Sequence, residues 1–284
     1  MKKIVFSTES GADLPIDLIQ QHAIQVVPMH VVMDGKDYLD DGSTPVTDIY
    51  DFYERTKTIP TTTSTNPNEY HEFFTKIEKA YPDCIIVHIG YTSKASSSFQ
   101  NARIVSEDFA DLYLIDALNV SGGLTAIVMY AVDLLEKQPN IELDQLLTHI
   151  RASVFKARLA FVPGSLEFLR AGGRVSNMAY LGASLLKLKP LIELIDGKLM
   201  STKKYRGKMS RVAEELLHDY LNRYDIDKEQ LYFLYSLGLE KSIQHRMSEL
   251  AAEKGFKNIK WIQTGSVIST HGGPGAFGVA GLEK

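Results

Sequence analysis

The chain has 284 residues, 44% hydrophobic and 23% charged, the balance of an ordinary globular protein of two domains or one large one. Its 31 basic and 35 acidic residues leave a formal net charge of −4, which argues against a nucleic-acid-binding or membrane-surface protein. A single cysteine, Cys84, excludes an internal disulfide and, lying in an apolar run, reads as a small buried side chain.

In chain order, MKKIVFSTES lacks the apolar stretch of about 7–15 residues that a signal peptide needs. No run later in the chain nears the roughly 20 apolar residues of a membrane span, so a cytoplasmic location is expected. KIVFST (3–8) is the first predicted strand. Asp13 as cap and Pro15 in the first turn predict a helix to His22. IQVVPMHVVM (24–33) is a strand region broken by Pro28, and DGKDYLDDG (34–42) is a turn-rich acidic loop. A helix over 45–56 carries Val46, Ile49, Phe52 and Tyr53 on one face. The Thr-rich loop TIPTTTSTNPNEY leads into a helix over 68–80. CIIVHIG (84–90) is a strand, 96–109 a helix, DLYLID (111–116) a strand and 122–137 a long apolar helix. Continuous apolar strands alternating with helices predict a mostly parallel sheet covered on both faces.

A helix over 142–155 opens the second half. ARLAFVP (157–163) is a strand, and SLEFLRAGGRVS holds a short helix ended by Gly172 or Gly173. NMAYLGASLLKL (177–188) reads as an apolar helix, and KPLIELIDGKL as a strand pair turning at Asp196-Gly197. A helix over 208–223, the strand QLYFLYSL, a helix over 240–254 and the strand KWIQTG follow. The chain closes with GSVISTHGGPGAFGVAG (265–281), which holds a glycine-rich turn after His271. Strands spaced this closely predict a mixed sheet. The expected fold is α/β, with one α/β domain over 1–155 and a second over 156–284.

Two hydroxyl clusters stand out: PTTTSTNP (60–67) and YTSKASSSFQNA (91–102), the second directly after a predicted strand. Ligands of open α/β sheets bind outside the carboxyl ends of strands. Hydroxyl donors and the free N–H groups at the start of the next helix suit an anion, phosphate or carboxylate. No G-x-x-x-x-G-K-[ST] and no strand-linked G-x-G-x-x-G supports a nucleotide. Each hydroxyl alone is equally a loop or cap residue. His271 lies between Thr270 and the glycine-rich turn, where it is a ligand contact or an incidental surface residue. Arg174 follows AGG as a helix-end charge. There is no G-x-S-x-G; Ser93 or Ser96 with His271 leaves a Ser–His hydrolase open, without an evident acid partner. No histidine has zinc-ligand spacing with another His or the Cys. KKYRGKMSR (203–211) is either a solvated face or a docking patch for an acidic partner or phosphate.

TESGADLP (8–15), TTTSTNP, YTSKASSSFQNA, LEFLRAGGRVS, KLKPLIELIDGKL and THGGPGAFGVAG (270–281) occur in an order and spacing that resembles DegV-type proteins. These are bacterial fatty-acid-binding proteins that serve as the acyl-carrying subunit of fatty acid kinase. The resemblance covers about residues 3–282 as one unit. It implies two α/β domains with a long apolar ligand tunnel between or beneath them. It also implies a bound long-chain fatty acid such as palmitate, no cofactor of the protein's own and no catalysis by the protein itself. The fatty acid's carboxylate would be presented to a separate ATP-dependent kinase subunit that forms an acyl phosphate, with transient membrane contact possible. Carried over residue by residue, Thr63, Ser96, His271 and Arg174 would bind the carboxylate, and Arg206 would take part in docking the kinase. The apolar stretches 122–135 and 178–188 are tunnel walls or ordinary core helix. A Ser/His-dependent acyl hydrolase or transferase is the alternative. The chain departs from the family pattern at Ser97, where Gly is usual, at Ala95, where a branched apolar residue is usual, and in Thr8-Glu9-Ser10-Gly11, where T-D-S-T is common. Bulk at Ser97 bears on how backbone N–H groups reach a head group.

Overall fold

The computed structural model describes residues 2–181 and 188–284. The first half contains β1 (Ile4–Glu9), α1 (Ile16–Gln21), β2 (Gln25–Val27), β3 (His30–Met33), β4 (Lys36–Leu39), α2 (Val46–Thr56) and β5 (Thr61–Thr63). It continues with α3 (Pro67–Ala80), β6 (Ile85–Gly90), α4 (Ser98–Val105), β7 (Leu112–Asp116), α5 (Ser121–Lys137) and α6 (Leu143–Val154). The second half contains β8 (Ala157–Val162), α7 (Leu166–Gly172), β9 (Leu188–Ile195), β10 (Lys198–Arg206) and α8 (Met209–Arg223). It ends with β11 (Gln230–Tyr235), α9 (Lys241–Glu253), β12 (Asn258–Gln263), α10 (Ser266–Gly272) and β13 (Phe277–Leu282).

β1, β2, β6 and β7 form a wholly parallel sheet in the order β2-β1-β6-β7, as the β-α alternation predicts. The later strands form a mixed six-stranded sheet, β10-β9-β8-β13-β11-β12, in which only β11 and β12 run parallel. A small antiparallel sheet, β4-β3-β5, lies between Met29 and Ser64 in sequence. The helix α3 starts where its chemistry says it should. Asn66 accepts the Glu69 N–H at 3.1 Å, the Glu69 carboxylate accepts the Asn66 N–H at 2.7 Å, and Pro67 fills the first helical position.

Three expectations change. The acidic stretch 34–42 is not all loop: Asp34 and Gly35 both take positive φ (50° and 71°), the requirement of a tight hairpin turn, and β4 folds back on β3. Asp13 does not cap α1, which begins after Pro15; its carboxylate is used elsewhere. The helix after the Ser-rich run begins at Ser98, two residues later than expected, and ends at Val105. The glycine-rich tail supplies α10 and then β13, which sits in the sheet between β8 and β11. Its small residues are needed because neighbours press on both sides. A Cβ at Gly278 would lie 2.8 Å from Phe161 Cβ, and one at Gly281 would lie 2.8 Å from Ile226 Cγ2. Half of the apolar helix expected over 177–188, residues 182–187, lies outside the described residues; of the rest, Met178–Leu181 form a 3-10 turn and Leu188 begins β9.

The two large sheets share one apolar core. It runs from Phe6, Val87 and Ile89 of the parallel sheet through Leu124, Ile127 and Val128 of α5 to Leu159, Leu234 and Ala280 of the mixed sheet. α5 carries apolar residues around most of its circumference and is the layer between the sheets. Among the described residues no helix is long and apolar enough to cross a membrane.

Candidate functional site

The site builds from the register of the mixed sheet. Phe161, Gly278 and Leu234 are direct cross-strand partners on β8, β13 and β11, so they share one face. That row is part of the wall of an apolar cavity that opens to solvent. Leu169 of α7, Leu199 of β10 and Ile268 of α10 add further apolar wall. Of the α5 region, only Val120 and Ser121 reach the cavity; the expected wall 122–135 is not in it, because Leu124, Ile127 and Val128 pack into the core instead. Gly122 shows why the fit is tight: a Cβ there would lie 2.9 Å from the Leu234 side chain.

Polar groups enter this apolar wall at a few places. Arg174 and His271 both line it, as does Tyr91 at the end of β6. The His271 Nε2 lies 2.8 Å from Thr62 Oγ1, and its Nδ1 is buried without a hydrogen-bond partner among the described residues. Burial first, and the neighbouring Arg174 charge second, lower the imidazole pKa to about 4. His271 is therefore neutral near pH 7. Gly172, at the end of α7, makes room for it: a Cβ at that position would lie 2.3 Å from Nδ1. Arg174 is exposed and is held by donating from Nη1 to the Gly172 carbonyl at 2.6 Å.

The hydroxyl run sorts into structural and outward-facing members. Thr92 is buried and donates to the Gly197 carbonyl at 2.8 Å, tying the run to the Asp196-Gly197 turn. Ser98 is also buried. Tyr70 Oη donates to Glu9 at 2.7 Å, so its 2.8 Å contact with Ser98 Oγ must use the serine's proton. Burial opposes the Glu9 charge, but His88 and the donors Tyr70 and Tyr91 outweigh it and hold this carboxyl below its ordinary range. Ser96 Oγ accepts the Ser98 N–H at 3.1 Å, which leaves the Ser96 hydroxyl proton for another acceptor. Ser97 is exposed and its Oγ lies 2.8 Å from Ser64 Oγ.

Thr63 is exposed and pairs with His30 across β3. Successive side chains of an extended chain point to opposite sides, and Thr62 and Ser64, on either side of Thr63, face His271 and Ser97. The segment 62–64 thus links the histidine to the serine run. Thr62, Ser64 and Tyr91 were not singled out from the sequence. The two hydroxyls were recoverable from the extended TTTST run, where alternate residues share a face. Arg206 ends β10 fully at the surface, and no ion pair engages it among the described residues, whereas Lys203 pairs with Asp219 and Arg211 with Glu215. Among the described residues there is no group of three or more His, Cys, Asp or Glu that could hold a metal.

Known proteins resemble this chain over its full length. A curated relative in Caldanaerobacter subterraneus subsp. tengcongensis, a DegV domain-containing protein, is 30% identical over the full length of both chains. A Thermotoga maritima protein named fatty acid-binding protein is 27% identical over 99% of both. Among solved structures, a Thermus thermophilus DegV family protein described by its fatty-acid binding superposes with a TM-score of 0.89 at 24% identity, covering 99% of this chain and all of that one. The family profile described as "Uncharacterised protein, DegV family" matches residues 3–284, and the chain belongs to the DegV family.

Proposed function

We propose that this protein binds a long-chain fatty acid, with the acyl chain in the apolar cavity and the carboxylate among Ser96, Thr62, His271 and Arg174. The observation that carries the reading is an apolar cavity whose wall admits a neutral imidazole and a guanidinium beside an outward-facing hydroxyl run. Each methylene removed from water contributes about 0.8 kcal/mol, so chain burial supplies most of the affinity. The carboxylate then needs donors, because a buried unpaired charge is very costly. Hydroxyls and an Arg supply charge-assisted bonds. The relatives that carry fatty-acid binding in their names support the same ligand.

The protein acts as a carrier, not a catalyst. The His271 imidazole bonds Thr62, not Ser93 or Ser96, and among the described residues no carboxylate stands behind its Nδ1 to orient it as a general base. Presentation of the carboxylate to a separate kinase fits exposed Arg174 and Ser97 beside the head-group set, with exposed Arg206 as the docking residue. Native mass spectrometry of the purified protein should show a co-purifying acyl species, and the delipidated protein should take up palmitate. Absence of both would sink the reading.

A further inference from the structure

Away from the cavity mouth, two buried carboxylates meet at the start of α10. Asp13 follows β1 in a left-handed conformation (φ 56°) and is 7% exposed; Asp40 follows β4 and is 9% exposed. Asp13 Oδ1 accepts the Gly265 N–H at 2.7 Å, and Asp40 Oδ1 accepts the Ser266 N–H at 2.8 Å. These are the cap and the first residue of α10. The absence of a side chain at Gly265 lets both acids approach: a Cβ there would lie 3.0 Å from Asp40 Oδ1 and 3.2 Å from Asp13 Oδ1. The second oxygen of Asp13 accepts the hydroxyl of Ser121, the first residue of α5 and itself part of the cavity wall. Ser121 is held at φ 45°, an uncommon conformation for a residue with a side chain.

Asp13 therefore joins three segments: the end of β1, the start of α5 and the start of α10. What it holds matters for the site. α10 is seven residues long, too short to be stable alone, so its place depends on what fixes its ends. It carries Ile268 and His271 into the cavity wall. Burial pushes the carboxyls of both Asp13 and Asp40 upward, the cost of placing two acids side by side away from water.

We propose that Asp13, assisted by Asp40, is a positioning residue for the head-group site, fixing α10 against α5 and thereby setting where the His271 ring stands toward the ligand carboxylate. The proposal rests on the fatty-acid reading above. Its test compares two ligands of equal chain length, palmitate and hexadecanol, on the delipidated full chain. Asp13→Ala should weaken palmitate about tenfold or more while changing hexadecanol by no more than about threefold. Asp13→Asn keeps an acceptor for the Gly265 N–H and a partner for Ser121, and should restore palmitate to within about threefold of the wild type. Gly265→Ala, which presses on both carboxylates without removing either, should shift the palmitate-to-hexadecanol ratio in the same direction and carries the test if Asp13→Ala does not fold. Equal losses for both ligands, or an Asn variant as impaired as the Ala variant, overturn the positioning role while leaving the fatty-acid reading intact. A wild-type protein that binds neither ligand overturns that reading and this role with it.

Discussion

At the scale of single residues, the site turns on which hydroxyls are left to meet a ligand. The Thr62 contact with His271 and the free proton of Ser96 predict that Thr62→Val with Ser96→Ala weakens palmitate binding by about 10–100-fold, the worth of one or two hydrogen bonds to a charged group. Thr63→Val should leave affinity within about twofold, because its side chain faces solvent. Titration of labelled palmitate into the three proteins checks this, and an effect confined to Thr63 would reverse the assignment. His271 makes a second prediction. Its folded pKa, about 4, lies below its ordinary 6.5, so the unfolded state binds the proton more readily. Stability should therefore fall as pH drops through 6.5 and reach its full loss below about 4, with about 2 kcal/mol of it between pH 7 and pH 5. In delipidated protein, urea unfolding at the two pH values should show a smaller loss for His271→Gln than for the wild type; identical losses would contradict a buried neutral imidazole. Both the histidine and the serine were visible in the sequence as residue types in a suggestive place. The inward partner Thr62 was not, because five consecutive Ser and Thr side chains look alike until the strand direction is known.

At the scale of elements, the site is made where α7 and α10 meet, and Gly172 leaves the room that the His271 ring fills. Gly172→Ala adds one methyl group at a place where the His271 ring already sits 2.3 Å from it. It should cost about 1–3 kcal/mol of stability by overpacking and also displace the imidazole, so palmitate affinity falls with it. A thermal melt and a palmitate titration that both match the wild type would show that α7 can yield without moving α10. The elements legible in the sequence were those whose pattern is local. The parallel strands β1, β6 and β7 are continuous apolar runs, and helices such as α2, α3 and α5 show their periodicity or caps directly. The elements that escaped are defined by remote neighbours. β13 escapes because Gly278 and Gly281 look like turn residues, yet they are small because Phe161 and Ile226 press against them. β4 is short and lies in an acidic stretch, and only the paired positive φ values of Asp34 and Gly35 make it a strand.

At the scale of the whole molecule, each sheet has a core cluster of its own, and a third cluster spans the two halves of the chain. Every strand of the mixed sheet lies after residue 156, and every strand of the parallel sheet lies before residue 117. Yet α5, which belongs to the first half by sequence, packs on β8, β11 and β13 as well as on β1 and β6. Its residues from Ser121 to Met129 are buried without interruption, and Leu124, Ile127 and Val128 join a core that extends to Leu159 and Ala280. A chain cut after residue 155 would leave the α5 face toward the mixed sheet in water. Exposed apolar surface contributes unfavourably at about 25 cal/mol per Å², and a stability of about 5–15 kcal/mol has little room for losing a whole helix face. The expected outcome is that the full chain unfolds in one cooperative transition, with near-ultraviolet and far-ultraviolet circular dichroism changing together. The fragment 1–155 should show helical signal without fixed tertiary packing. Two resolved transitions, or a fragment with sharp, dispersed amide resonances, would instead establish two independent folding units. In that case the cavity, with Tyr91, Val120 and Ser121 from one half and Leu234, Thr264 and His271 from the other, would lie at a joint whose movement could admit and release the ligand.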